Sequence, residues 1–362
     1  MTQTLPEQQA KTPASRRKRL IAAALTVGLS LVIITALIIA LPGLVSYDDV
    51  WRALRQLSWL GIIAVSLATL INILTYGPNL MAALPGLGYR GALTAALASS
   101  ASRYVAPGGP AVGLGVAYLM LRAWRFGRAR VTLALSVVTV WEQLITVTMP
   151  LLALLLLFLE GKRSPLLETV ALIGLALFAL VLVLIFSSLH SARFARRAGD
   201  LVARFVSAGL RIARRPPVTG WGEQFARFRA DALGLVRRRW HWLTLGTLAG
   251  HLSTYLVLIV TLRAIGVGAD EVSLAEAFAA WSVSRVLGGI PILPSGVGVV
   301  EVALTTALIG FGGNEAGVVA SVLVYRFLTV VVPLICGAIA GALWRRAHPR
   351  EAELQTAKAS AG

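Results

Sequence analysis

Long apolar runs, separated by short polar or basic interruptions, dominate the chain. Leu20–Leu41, Leu57–Tyr76, Val131–Met149, Leu166–Phe186, Trp242–Leu262 and Gly317–Leu343 each approach or exceed the roughly 20 residues that an α-helix needs to cross a bilayer. The first run follows the basic cluster Arg16, Arg17, Lys18 and Arg19 and ends at Pro42-Gly43. It is too long for a signal peptide and lacks a small-residue cleavage pattern, so it is predicted to be a retained anchor.

Two further apolar regions do not read as spans. Gly91–Leu121 is interrupted by Arg103 and by Pro107-Gly108-Gly109-Pro110, and Ser273–Gly310 by Arg285 and the segment Pro291–Gly298. Each resolves into two short helical pieces around a Gly/Pro-rich break, because Pro removes a backbone donor and Gly weakens helix. Re-entrant hairpins are therefore predicted. Non-helical backbone at membrane depth is tolerated only where protein buries it or water reaches it, which makes both breaks candidate sites.

Charge then orients the layout. The chain has 34 Lys+Arg against 16 Asp+Glu, a formal charge of +18. If the N-terminus lies inside and each hairpin returns to the side it entered, the inner segments hold 25 basic residues. These are Lys11 and Arg16–Arg19; Arg122, Arg125, Arg128 and Arg130; twelve arginines from Arg193 to Arg239; and Arg345, Arg346, Arg350 and Lys358. The outer segments hold only Arg52, Arg55, Lys162, Arg163 and Arg263. This is the positive-inside pattern, and it accounts for the net charge without nucleic acid. The remaining four, Arg90, Arg103, Arg285 and Arg326, fall in or beside membrane-embedded regions.

The predicted organisation is a cytoplasmic basic tail at 1–19, an anchor at 20–41, a first repeat at 57–149, a transmembrane helix at 166–187, a cytoplasmic basic amphipathic linker at 190–240, a second repeat at 242–343 and a cytoplasmic tail at 344–362. The fold class is all-α integral membrane: six full transmembrane helices plus two re-entrant hairpins in inverted-topology repeats. Ser102-Arg103 before Pro107-Gly108-Gly109 and Ser284-Arg285 before Pro294-Ser295-Gly296 are consistent with duplication. The linker stripes Phe194, Leu201, Val202, Phe205, Ile212 and Trp221, Phe225, Phe228, Leu235 read as basic helices on the membrane surface. Trp51, Trp59, Trp242 and Trp344 read as interfacial anchors, and Glu276 as the start of the outer hairpin near water. The expected location is the plasma (inner) membrane, multi-pass, with both termini cytoplasmic.

Composition sets the function classes. At 57% apolar and 14% charged residues, the chain departs from the ~25% charged residues of a soluble domain, so a soluble enzyme is excluded. Cys336 is the single cysteine, the four histidines are scattered, and no phosphate-binding GxxxxGK[ST] motif occurs. No enzyme activity, cofactor or metal site is expected, nor nucleotide-driven pumping by this chain.

The chemistry then rests on embedded polar residues. An ionisable group inside a span is costly unless paired or hydrated. Glu142 and Arg326 lie within spans, and Arg103, Arg285 and Glu301 beside the breaks. They either pair with one another and lock the helices, or the arginines and free N–H groups at broken-helix ends cradle an anionic phosphate while Glu142 and Glu301 balance charge or couple to protons. Gly108, Gly109, Gly296 and Gly298 would let backbone approach a head group, or simply make turns. Asn72, Tyr76, His251 and Tyr255 line a cavity or hydrogen-bond between helices.

The segment PILPSGVGVVE, Pro291 to Glu301, with Tyr325-Arg326 in the next span and Pro333 beyond it, resembles the signature of the lysylphosphatidylglycerol synthase transmembrane family of flippase-like membrane proteins. SRYVAPGGPAVG, Ser102 to Gly113, followed by a span bearing Glu142, resembles its first-half motif. The resemblance implies movement of a lipid between leaflets. It implies no aminoacylation, since the family's soluble transferase domain is not expected in this chain. The expected substrate is an anionic membrane lipid, a phospholipid or a polyprenyl-phosphate-linked one. Its candidate binding residues are Arg103, Pro107, Gly108, Gly109, Glu142, Arg285, Pro294, Gly296, Gly298, Glu301, Tyr325 and Arg326. An ion or small-solute transporter on the same scaffold is the alternative, and a non-transporting partner of a lipid-biosynthetic enzyme is a third reading.

Overall fold

The computed structural model describes residues 57–105, 109–161, 221–289 and 298–348, together with residues 55, 179 and 183. The predicted anchor 20–41, nearly all of the predicted helix 166–187, the linker up to residue 220, the N-terminal tail and the C-terminal tail from residue 349 lie outside the described residues, as do Trp51, Pro107, Gly108, Pro294 and Gly296. The described residues form helices and turns. In chain order they are α1 (Trp59–Leu74), α2 (Pro78–Ala83), α3 (Tyr89–Val105), α4 (Gly109–Ala123), α5 (Arg128–Leu159), α6 (Trp221–Ile265), α7 (Leu274–Gly288), α8 (Val299–Gly310), α9 (Glu315–Arg326), a π-helical segment Phe327–Val331, and α10 (Val332–Ala347).

Among the described residues four stretches are long and apolar enough to cross a membrane: Trp59–Ala83, Arg128–Leu159, Arg227–Ile265 and Glu315–Ala347. They contain four of the predicted spans. Local chemistry sets their ends. The Ser58 hydroxyl accepts from Gly61 N at 3.1 Å to start α1, and Asn314 Oδ1 accepts from Gly317 N at 2.8 Å to start α9, each satisfying an orphan donor of the first turn. The first span breaks at residues 75–77, and Pro78 opens α2 where its missing N–H costs nothing. Near the other end of the chain, Pro333 cannot donate to the preceding turn, and the helix widens into the π segment just before it.

α1 and α6 run antiparallel. Gly61 faces Ala264, Thr75 faces Gly250, and Gly246 packs so closely on Asn79 that a methyl group there would come within 2.7 Å of its amide nitrogen. Between these small-residue contacts, Asn72 Nδ2 donates to Ser253 Oγ at 3.0 Å and to Thr254 Oγ1 at 2.9 Å. Where lipid removes the hydrophobic drive between helices, small residues and interhelical hydrogen bonds of this kind hold them together. α3 and α4 form one antiparallel hairpin, with Gly113 against the Ser99 carbonyl and Gly109 against that of Arg103. α7 and α8 form the second. Each hairpin packs against the far half of the chain, α3 on α10 and α7 on α5.

The two ends of the molecule differ. At one end Arg130 Nη2 donates to Pro85 O at 2.9 Å, Gly91 abuts Trp124, and Leu84, Leu87, Val131, Ala232 and Leu243 share a buried cluster. At the other, Ser273 Oγ donates to Glu160 Oε2 at 3.0 Å, and Arg263 caps the end of α6 by donating to the carbonyls of Val267, Gly268 and Val272. The first hairpin starts and finishes at the former end. The second does so at the latter, where Gly312 and Gly313 lie against Glu271 and Val272.

Three expectations are corrected. The stretch from Trp221 does not end as a separate surface helix before Trp242; it continues as one 45-residue helix into the span, because Ala232, Leu235 and Val236 pack on the first half rather than facing lipid. Trp344 is no interfacial anchor: it is 6% exposed and packed on Ala98 and Met120. Trp59 at 73% and Trp242 at 55% exposure do stand on the surface. Glu276 starts the hairpin but is buried, its carboxylate accepting from Ser273 N at 2.8 Å in a capping box.

Candidate functional site

The site begins at Gly298, whose φ of 89° lies in the left-handed region that glycine enters without strain. This turn starts α8 and sends Glu301, three residues on, back toward the break. Glu301 Oε2 accepts from Gly298 N at 2.8 Å, and Oε1 accepts from Arg326 Nε at 2.7 Å. The pair is largely buried, with Glu301 10% and Arg326 15% exposed. Arg326 comes from the last turn of α9, immediately before the π segment. Its Nη2 is buried and has no acceptor among the described residues. The ion pair thus occupies one edge of the guanidinium and leaves a strong donor aimed elsewhere.

Next to Arg326, the buried Tyr325 hydroxyl accepts from Trp281 Nε1 at 3.1 Å. Trp281 is fully buried and stacks on Phe278, ring centroids 5.6 Å apart. One turn further along α7, Arg285 carries its guanidinium carbon 5.9 Å over the Trp281 ring and its Nη2 3.5 Å from His251 Nδ1. On the far side of that imidazole, Nε2 lies 3.4 Å from Thr146 Oγ1 of α5, and Thr146 donates to the backbone carbonyl of Glu142 at 2.8 Å.

The first hairpin reaches the same place. Tyr76, at the break after α1, lies within interaction range of Ser100, Tyr104, Arg285 and Arg103. Tyr325 lies within range of Arg285, Arg326 and Tyr104. Arginines from α3, α7 and α9 therefore act electrostatically on two tyrosines, Tyr76 and Tyr325, drawn from the two halves of the chain.

Of the sequence-predicted residues, Glu301, Arg326, Tyr325, Arg285 and Gly298 come together here, and Arg103 joins them through Tyr76. Gly109 supports the first hairpin from beneath: a side chain there would overlap the Arg103 carbonyl. Glu142 is adjacent through its backbone, and its half-buried carboxylate has no ion pair among the described residues. Asn72 and Tyr255 serve as interhelical hydrogen-bond donors, Tyr255 to Leu274 O at 2.7 Å. Tyr104 and Trp281 were not singled out from the sequence. Their signal was spacing, since Tyr104 directly follows Arg103 and Trp281 stands one helical turn before Arg285. Among the described residues no group of His, Cys, Asp or Glu is arranged to hold a metal ion.

A search among curated proteins finds no match to the chain. The family model for the lysylphosphatidylglycerol synthase TM region matches residues 21–337. That match spans most of the chain, and the chain belongs to that family of membrane proteins.

Proposed function

We propose that the protein moves an anionic lipid between the leaflets of the plasma membrane, its phosphate held by Arg103, Arg285 and Arg326 where two re-entrant hairpins meet. The observation that carries this reading is the surplus of positive charge at the site. Glu301 offsets Arg326, whereas Arg103 and Arg285 have no acidic partner among the described residues. Uncompensated cations at membrane depth cost several kcal/mol. A phosphate would supply the missing charge and accept the buried Nη2 donor of Arg326, for which a guanidinium fork is well suited. Pro107, Gly108, Pro294 and Gly296, which follow Arg103 and Arg285 in the sequence, are assigned to the same head-group site, with Glu142 as a charge-balancing group at its edge.

An inverted-repeat organisation of the two halves would suit the transport reading. Asn72 and Thr254, which hydrogen-bond at 2.9 Å, stand 182 positions apart, the same offset that separates Arg103 from Arg285. Residues that are equivalent by that offset and also touch mark a pseudo-two-fold axis, and the antiparallel α1–α6 contact is what such an axis requires. Alternating access would then be a rocking of the two halves about this contact, the hairpins opening to opposite faces. In this layout the basic end of the molecule is cytoplasmic.

The test is reconstitution into liposomes with fluorescent anionic and zwitterionic phospholipids. Wild type is expected to move the anionic lipid, and Arg326→Ala and Glu301→Gln to slow it at least ten-fold. A folded wild-type protein that moves no lipid under any gradient, alone or with a lipid-biosynthetic enzyme added, overturns the proposal. Cysteine labelling at Asp48 and Gly268 from outside, and at Gly127 and Thr219 from inside, tests the orientation separately.

A further inference from the structure

The neighbours of His251 fix which of its nitrogens carries the proton. His251 is buried on α6. Thr146 gives its hydroxyl hydrogen to the Glu142 carbonyl, so toward His251 Nε2, 3.4 Å away, it presents only a lone pair. Nε2 therefore carries a hydrogen. On the opposite edge Arg285 Nη2, 3.5 Å away, can only donate, so Nδ1 presents a lone pair. The ring is the neutral Nε2–H tautomer, and both contacts agree on it. The elements around it contribute Arg285 and Trp281 from α7 and Thr146 with the Glu142 backbone carbonyl from α5. Arg285 is the one charged side chain among the described residues that acts on the ring.

A second proton can bind only at Nδ1. It would remove the acceptor that Arg285 faces and set two cations against each other in a buried place. Arg285 and that proton therefore exclude one another. The alternative location for Arg285 is already at hand, since it also lies within range of Tyr76 and Tyr325, on the side where Arg103 and Arg326 converge.

We propose that His251 is the binding site of a co-transported proton, taken up at Nδ1 when a lipid phosphate draws Arg285 away. The proposal rests on the lipid-transport reading above. Proton and phosphate favour each other by linkage: phosphate frees Nδ1, and a protonated His251 leaves the Arg285 Nη2 donor without the acceptor it faces, which the phosphate then supplies. No covalent bond changes. A proton enters with a monoanionic head group, the loaded site carries no added charge, and the return of Arg285 to Nδ1 expels the proton as the lipid leaves.

The experiment observes the imidazole directly, using full-length protein with ¹⁵N-labelled histidine in nanodiscs of phosphatidylcholine alone or with phosphatidylglycerol. The signal is assigned with His251→Gln, and surface effects are removed by reference to the exposed His241. Phosphatidylglycerol is expected to raise the proton affinity of wild-type His251 about ten-fold or more. Arg285→Gln is expected to raise it in phosphatidylcholine alone and to abolish the lipid dependence. An affinity indifferent to both overturns the proposal. Because this readout needs no lipid movement, it fails independently of the liposome assay. In that assay wild type should carry protons with lipid, and His251→Gln, which keeps an acceptor for Arg285 but does not titrate, should lose the pH dependence that wild type shows. A pH profile unchanged in His251→Gln overturns it as well.

Discussion

The two hairpins hold their charges differently. In the second, Arg326 is bound to Glu301 at 2.7 Å and Arg285 rests on Trp281 and His251. In the first, Arg103 is exposed and has no partner among the described residues, while α3 and α4 are joined by backbone approach, Gly109 on the Arg103 carbonyl and Gly113 on the Ser99 carbonyl. Both arginines stand in the last turn before a break, where a cation favours the helix terminus. The shared position is thus explained by helix electrostatics, and the unequal partnering by what each opposite half presents. One hairpin is a rigid, closely packed arm carrying a free cation. The other is packed through the apolar cluster around Phe278, Trp281, Leu304 and Leu308 and carries its arginines on polar and aromatic side-chain partners near the break.

The largest effect expected from this contrast is on stability. Arg326→Ala leaves Glu301 buried with only the Gly298 amide, and a buried pair broken on one side costs about 3 kcal/mol or more. Arg103→Ala should cost little, because nothing in the fold rests on that guanidinium. Thermal or denaturant unfolding in detergent measures both. Equal losses in the two variants would remove the asymmetry on which the comparison stands. Lipid movement should fall in both, which separates binding from folding.

A smaller and reversed difference is expected for the glycines. Gly109→Ala drives a methyl group into the Arg103 backbone, and overpacking against backbone costs about 1–3 kcal/mol. Gly288→Ala meets a single side-chain atom, Val300 Cγ2, rather than backbone, and should cost less, because a side chain stiff at χ1 yields more readily than the chain itself. The same unfolding measurements decide it, and a Gly288→Ala cost equal to that of Gly109→Ala would show the second hairpin to be as rigid as the first.

What could be read from the sequence follows from the same physics. The spans at 57–76, 131–149, 242–262 and 317–343 were legible because crossing a bilayer demands a run of apolar residues, and the hairpins because Pro and Gly at 107–110 and 291–298 interrupt such a run. The buried pair Glu301 and Arg326 stood out because an ionisable residue in an apolar run is expensive. Which charge pairs with which was not legible: Glu301 and Arg326 are 25 positions apart, and only the turn at Gly298 aims one at the other. Nor could the sequence show that α6 runs unbroken from Trp221. An amphipathic stripe looks the same whether it rests on lipid or, as Ala232 and Leu235 do, on another helix. Trp344 misled for a related reason, since a tryptophan at the end of a span suits an interface until a partner such as Ala98 covers it.

The smallest predicted effect concerns the loops that anchor the hairpins. At the end where the second hairpin begins, Glu271 Oε2 accepts from the Asn314 backbone N–H at 2.8 Å and from its side-chain amide at 2.7 Å. These bonds, the backbone one foremost, hold the Glu271 carboxyl below its ordinary value of 4.5. A carboxyl with a depressed folded value stabilises the fold fully above its unfolded value, and that contribution is lost as pH falls through the folded one. The clasp between the start of α7 and the start of α9 should therefore loosen as pH drops below about 4.5. The corresponding end of the first hairpin is fastened by arginines on carbonyls, Arg130 on Pro85 O and Arg122 on Phe126 O, with no acid to titrate. Hydrogen-exchange protection factors, which remove the intrinsic pH dependence, should fall at Gly313 and Asn314 on acidification while Phe126 holds steady. Glu271→Gln should flatten the first profile. Parallel loss at both ends would mean that acid acts on the bundle as a whole, and the two hairpins would then differ in their arginine partners but not in how they are anchored.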